Sequence, residues 1–118
     1  MAEAACSQAP PPPRQPEVAW RELGKWSGRG QLQTESFPGE TGSLRIQWQT
    51  RNEAVPGAGR FELTIHSAIS GRPLLTAVSE KGAGEGTAFV SEDPRIFFAV
   101  VDSAGLDWSF TIEEGVSR

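Results

Sequence analysis

Three segments of the chain alternate apolar and polar residues without a break. They run from Leu44 to Gln49, from Phe61 to His66 and from Trp108 to Glu113. Successive side chains of a β-strand point to opposite faces, so each segment can bury one face and leave the other in water. The pattern therefore predicts three amphipathic strands, with a hydrophobic core on one side of each.

Weaker segments extend this pattern over most of the chain. The further strands predicted are Trp20 to Trp26, Gly30 to Phe37, Leu74 to Val78, Thr87 to Val90 and Ile96 to Val101. Turn-forming pairs such as Pro38-Gly39 and Asp93-Pro94 separate the strands. About eight short strands, with no apolar period typical of helices, predict an all-β fold: a single antiparallel β-sandwich of the jelly-roll type.

The phase of the alternation predicts which side chains face the core. The segment from Ile96 to Val101 is apolar on both faces, which suits a strand at the centre of a sheet. A slip of one residue in register would turn any predicted core residue towards solvent. The residues predicted to be buried are Trp48, Phe61, Leu63, Ile65, Phe98, Phe110 and Ile112.

Residues 1–17 differ in composition from the rest of the chain. Proline occupies positions 10 to 13 without interruption, and the segment has no aromatic or branched apolar residue. Such a segment buries too little apolar surface to offset the entropy of ordering it, so it predicts a disordered tether. The predicted organisation is a leader over residues 1–17, a β-sandwich over 18–115 and a tail over 116–118.

The predicted leader contains the only cysteine of the chain. Ala4-Ala5-Cys6, followed by a polar and proline-rich stretch, resembles the junction of a bacterial lipoprotein, which would make Cys6 the site of a lipid anchor. The alternative is a plain disordered segment with a chance cysteine. In both cases a single cysteine excludes an intrachain disulfide.

Charge and hydropathy limit the expected partners. The 118 residues carry a net charge of −4, with acidic and basic side chains interspersed. No basic stripe is present to neutralise phosphates, so we expect no nucleic-acid partner. No stretch approaches the ~20 apolar residues of a membrane span. The partners that stay open are a protein and a glycan.

Motifs for catalysis and metal binding are sparse. His66 is the only histidine, and no G-x-S-x-G nucleophile motif occurs, so we expect no catalytic residues and no enzymatic activity. One histidine and one cysteine are too few for a zinc site. The loop carboxylates Asp93, Asp102 and Asp107 are candidate calcium ligands, because calcium is bound by several oxygen atoms. The alternative is that these acids are simply solvated and that the protein has no cofactor.

The four tryptophans divide into two pairs. Trp48 and Trp108 are in phase with the apolar faces of their strands, which predicts that they belong to the core. Trp20 and Trp26 lie on a segment flanked by glycine, and we expect them to be the better exposed pair. Exposed aromatic rings stack on the apolar faces of sugars, so Trp20 and Trp26 are candidate ligand-binding residues.

The order of aromatic and turn residues also supports a resemblance. The segments that carry it are Trp26-Ser27-Gly28, Thr34 to Phe37, Leu44 to Trp48, Gly59-Arg60-Phe61, Phe97-Phe98 and Asp107 to Glu113. Together they resemble small bacterial β-sandwich modules of exported or envelope proteins and, more loosely, pre-peptidase C-terminal and jelly-roll accessory domains. The resemblance covers nearly all of residues 20–114. It implies an extracytoplasmic setting and carries over no catalytic residue.

Three functional classes follow from these observations. The first is a non-catalytic accessory or protein-interaction module of the bacterial envelope. The second is a carbohydrate- or calcium-binding β-sandwich that uses exposed tryptophans and loop carboxylates. An enzyme is the least favoured. The expected location is the periplasm, the envelope or the exterior, with the cytoplasm as the alternative.

Overall fold

A computed structural model describes residues 18–117, which form nine β-strands. The strands are β1 (Val18–Arg29), β2 (Leu32–Gln33), β3 (Phe37–Gly39), β4 (Ser43–Arg51), β5 (Arg60–Ser67), β6 (Pro73–Lys81), β7 (Gly84–Ser91), β8 (Arg95–Ala104) and β9 (Asp107–Ser117). Within these residues there is no helix of the length and apolarity needed to cross a bilayer. The predicted leader and its Cys6 lie outside the described residues.

The strands form two antiparallel sheets. Sheet A has the order β1-β9-β4-β7, and sheet B has the order β2-β8-β5-β6, with β3 also paired to β8. Strands β2 and β3 pair with successive parts of β8, so they behave as one interrupted strand. Counted in this way, the order is that of a jelly roll with eight strands. The predicted antiparallel β-sandwich is confirmed.

The interruption falls within Gly30 to Phe37, which was predicted to be one strand. Thr34 pairs with Ala99 of β8 in two ways: its backbone N–H donates to the Ala99 carbonyl at 2.9 Å, and its Oγ1 accepts from the Ala99 N–H at 2.9 Å. A side-chain oxygen thus replaces a backbone carbonyl in the ladder. Such local side-chain hydrogen bonds compete with regular strand pairing, so the strand divides at Thr34.

The core lies between the two sheets, and most of the residues predicted to face it do so. Five of the predicted core residues are buried: Phe61, Leu63, Ile65, Phe110 and Ile112. Trp48 is half-buried and faces the core, with its ring centroid 6.0 Å from that of Phe61. The prediction for Phe98 was wrong. Phe97 faces the core, whereas Phe98 lies on the outer face of sheet B and stacks on His66 at 4.8 Å.

Glycines inside sheet A make room for tryptophan rings. A Cβ added to Gly86 would lie 2.9 Å from the ring of Trp48, which is too close for an undisturbed contact. The ring can therefore lie flat on the neighbouring strand only because Gly86 has no side chain. Three cross-strand pairs share this arrangement: Trp48 with Gly86, Trp108 with Gly28, and Trp20 with Gly115.

The last strand continues beyond the predicted end of the domain. Val116 and Ser117 pair with Ala19 and Val18 of β1. The β-sandwich therefore includes most of the segment that was predicted to be a tail.

Candidate functional site

The outer face of sheet A, which points away from the core, carries an open groove of about 800 Å³. Side chains from all four strands of the sheet line it. We call it the polar groove. Its floor is formed by Ser27, Gln47, Gln49, Thr87, Ser109 and Thr111.

Strand register brings these side chains together from distant parts of the sequence. Thr111 of β9 pairs with Gln47 of β4, and Gln47 pairs in turn with Thr87 of β7. Paired residues on one face of a sheet lie about 5 Å apart, so they form a continuous row across the strands. A second row contains Ser109 and Gln49. The floor therefore presents hydroxyl and amide groups in two adjacent rows.

A short hydrogen-bond network orients one end of the floor. Glu113 Oε1 accepts from Arg45 Nε at 2.9 Å and from Gln47 Nε2 at 2.9 Å. The hydrogen bond from Arg45 is the main cause that holds the pKa of Glu113 below its ordinary value, so the carboxylate is ionised at neutral pH. With its nitrogen bound to Glu113, Gln47 presents its carbonyl oxygen to the groove as an acceptor.

Two aromatic rings meet beside this network, although their strands are the opposite edges of sheet A. The centroids of Trp20 on β1 and Phe89 on β7 are 6.1 Å apart. The Arg45 guanidinium lies 4.5 Å from the centroid of the Trp20 ring and makes a cation–π contact with it. Phe89 is 69% exposed, and it lies on the same face of β7 as Thr87, two residues beyond that groove residue, so it offers free aromatic surface next to the polar groove. We call Trp20 and Phe89 the aromatic pair.

Charged side chains stand at the margins of the polar groove. Glu22 and Lys25 come from β1, Arg51 from β4 and Glu85 from β7. Two are acidic and two are basic, so their formal charges cancel, and the remaining charged residue of the lining, Glu113, is paired with Arg45. The groove margin thus carries both signs without an excess of either.

A smaller depression of about 490 Å³ continues from the polar groove and shares Ser27, Arg51 and Ser109 with it. Here Asp107 accepts from Asn52 Nδ2 at 2.8 Å and from Arg29 Nη1 at 2.9 Å. The Asn52 hydrogen bond, followed by that of Arg29, lowers the pKa of Asp107. The carboxylate is therefore ionised and neutralised by its neighbours.

The two candidate tryptophans lie on opposite faces of sheet A. Trp20 is on the outer face, as part of the aromatic pair. Trp26 faces the core: its ring stacks on Phe110 at 5.3 Å, and its indole N–H donates to Glu35 Oε1 at 2.9 Å. The cause is a bulge between Glu22 and Gly24, which shifts the alternation by one residue. Trp26 therefore does not share a binding surface with Trp20.

The three candidate calcium ligands are not brought together. Asp93 precedes β8 and Asp102 lies near its end, which separates them by roughly 30 Å at the rise of an extended strand. Each is close to an arginine: Asp93 to Arg95 at 3.8 Å and Asp102 to Arg60 at 3.0 Å. Asp107 belongs to the smaller depression described above. Over residues 18–117 no group of three His, Cys, Asp or Glu side chains could hold a metal ion.

Phe89 and the groove floor were not among the candidates from the sequence. A signal for Phe89 existed: Ala88 and Val90 are the core-facing residues of β7, which places the intervening phenylalanine on the outer face. The floor residues gave no signal, since Gln, Ser and Thr are common on any solvent-facing strand. The chain matches no protein-family model and no curated protein.

Proposed function

We propose that this protein is a non-catalytic binding module of an exported or envelope protein, and that its polar groove binds a carbohydrate chain. The observation that carries the proposal is the position of the exposed Phe89 ring on β7, two residues from Thr87 of a floor of uncharged hydroxyl and amide groups. Sugars have the matching chemistry: hydroxyl groups that donate and accept hydrogen bonds, and apolar ring faces that stack on aromatic rings.

The hydrogen bonding of the floor supports a binding role. Within the described part of the chain, Gln47 is the one floor residue whose side chain donates to another side chain, namely that of Glu113. The hydroxyls of Ser109 and Thr111 remain available to a ligand. Several convergent polar groups beside an apolar surface are typical of small-molecule and saccharide sites.

The state of Glu113 favours binding over hydrolysis. A glycosidase needs a carboxylic acid with a raised pKa that can protonate the leaving group. Arg45 and Gln47 instead lower the pKa of Glu113, which makes it a hydrogen-bond acceptor for sugar hydroxyls. The extracytoplasmic setting rests on the resemblance of residues 20–114 to modules of exported proteins.

The proposal predicts that an exposed phenylalanine contributes to affinity. Calorimetric titration of the full protein with the hexasaccharides of glucose, xylose, mannose and N-acetylglucosamine should detect binding of at least one of them. The Phe89→Ala variant should bind that saccharide about tenfold more weakly, because the stacking surface is lost. Its fold should be kept, since the ring is 69% exposed.

A matched control removes an equally exposed apolar side chain elsewhere. Ile69 is 83% exposed and lies in the connection between β5 and β6, two strands of sheet B. The Ile69→Ala variant should bind like the wild type. Failure of all four saccharides to bind, or equal affinity of Phe89→Ala and the wild type, would contradict the proposal and favour the protein-interaction alternative.

A further inference from the structure

We infer that the polar groove selects an uncharged saccharide chain and discriminates against both acidic and basic chains of the same backbone. This inference rests on the proposed carbohydrate-binding function and adds the chemical class of the ligand. Three features of the structure carry it: the floor, the margin and the smaller depression.

The floor itself contains no formal charge. Its six side chains are hydroxyls and amides, which can both donate and accept hydrogen bonds. An uncharged sugar ring satisfies such groups through its own hydroxyls. A carboxylate or an ammonium group placed there would lose hydration without gaining an opposite charge, which makes binding of that group unfavourable.

The margin presents carboxylates and cations in equal number, so it attracts a chain of neither sign overall. Glu22 and Glu85 come from the two edge strands of sheet A, so an acidic chain that fills the groove passes a carboxylate on both sides. A basic chain meets Lys25 on the edge strand β1 and Arg51 on the inner strand β4. Sites for polyanions instead collect basic residues of one sign, which complement the charges of the ligand.

Two carboxylates at the ends of the floor are already neutralised by arginines. Glu113 is paired with Arg45 at 2.9 Å at one end, and Asp107 with Arg29 at 2.9 Å at the other. Neither arginine is left to pair with a uronate carboxylate without breaking an existing ion pair. The groove therefore offers hydrogen bonds to a ligand and no excess of either charge.

Matched saccharides of one backbone provide the test. The full protein is titrated calorimetrically with N-acetylglucosamine hexamers and their deacetylated, cationic form, and with glucose hexamers and the glucuronate form. We expect at least tenfold weaker binding of each charged form than of its neutral counterpart. We also expect the affinity for the neutral chain to be unchanged between low and high sodium chloride, because screening acts only on charges.

Two double variants separate selectivity from affinity. Glu22→Gln with Glu85→Gln should raise the ratio of the affinity for the glucuronate chain to the affinity for the neutral chain by about threefold to tenfold. Lys25→Gln with Arg51→Gln should do the same for the cationic chain. All four side chains lie at the margin of the groove.

The outcomes distinguish this inference from the proposed function. Tighter binding of a charged chain than of its neutral counterpart, abolished by Phe89→Ala, would overturn the inference and keep the carbohydrate-binding function. A steep loss of affinity for the neutral chain with salt would also overturn the inference. Absence of binding by every saccharide would overturn both.

Discussion

Replacing Phe61 by alanine should lower the free energy of unfolding by about 3–5 kcal/mol. Phe61 is fully buried on β5 of sheet B, and its ring contacts three aromatic rings of sheet A. The centroid distances are 6.0 Å to Trp48, 6.1 Å to Trp108 and 6.4 Å to Phe110. Truncation removes contacts between the two sheets and leaves a cavity that a jelly roll cannot close without moving whole strands.

Urea denaturation followed by tryptophan fluorescence measures this loss. Phe89→Ala is the matched control, because it deletes the same atoms from a side chain that is 69% exposed, and its stability should stay within about 0.5 kcal/mol of the wild type. If Phe61→Ala does not fold, Phe61→Leu should show a smaller loss of unfolding free energy, because it also removes contacts between the two sheets. Equal losses for the Phe61 and Phe89 variants would show that the assignment of inner and outer faces is wrong.

Replacing Glu114 by alanine should lower the free energy of unfolding by about 1.5–3 kcal/mol, because it removes a buried carboxylate that accepts hydrogen bonds from two segments of the chain. The Glu114 side chain is fully buried. It accepts hydrogen bonds from the guanidinium of Arg21 on β1 and from the backbone N–H of Thr41 at 2.8 Å. It therefore ties the first strand to the connection between β3 and β4, and its loss leaves the Thr41 N–H without its partner.

The same group makes stability depend on pH. Burial alone raises the pKa of Glu114, but the Thr41 N–H and Arg21 outweigh that effect and hold the pKa below its ordinary value. A lowered pKa in the folded state means that the stabilisation is complete above the unfolded-state pKa, about 4.3, and is lost as the pH falls through the folded-state value. Stability at neutral pH should therefore exceed stability at acidic pH.

Glu114→Gln isolates this contribution, since the amide keeps the shape and cannot ionise. The difference in unfolding free energy between the wild type and Glu114→Gln, measured by urea denaturation from neutral pH down to about pH 3, should be constant at neutral pH and shrink below about pH 4.3. Arg21→Met should reduce the same pH dependence by removing one of the hydrogen-bond donors to Glu114. A difference that grows as the pH falls would contradict the assigned role of Glu114.

The sequence predicted the fold well where alternation was clear. Strands β4, β5 and β9 each carry three successive apolar residues on their inner face, so their phase could be read directly, and the core positions of Phe61 and Phe110 followed. Strand β8 has apolar residues on both faces, so its sequence alone does not show which face is buried. Its pairing with β5, which places Ala99 opposite Ile65, decides that Phe97 rather than Phe98 faces the core.

The candidate site was only partly predictable. Trp20 was expected to be exposed, and it lies on the outer face. The bulge after Glu22 turns Trp26 towards the core. The residue pattern of this segment did not predict the bulge. The groove floor depends on strands that are distant in sequence, such as β9 paired with β4. Single strands show which side chains face outward, whereas only the strand order shows which of them become neighbours.

The central claim, that the outer face of sheet A is the binding surface, is tested most directly by mapping the contact. Isotope-labelled protein is titrated with the neutral hexasaccharide that binds most tightly, and backbone amide shifts are followed by NMR. We expect the largest shifts at Gln47, Gln49, Phe89 and Thr111, with little change on the outer face of sheet B. Shifts concentrated around His66 and the other outer residues of sheet B, or the absence of shifts at a saturating concentration, would contradict the claim.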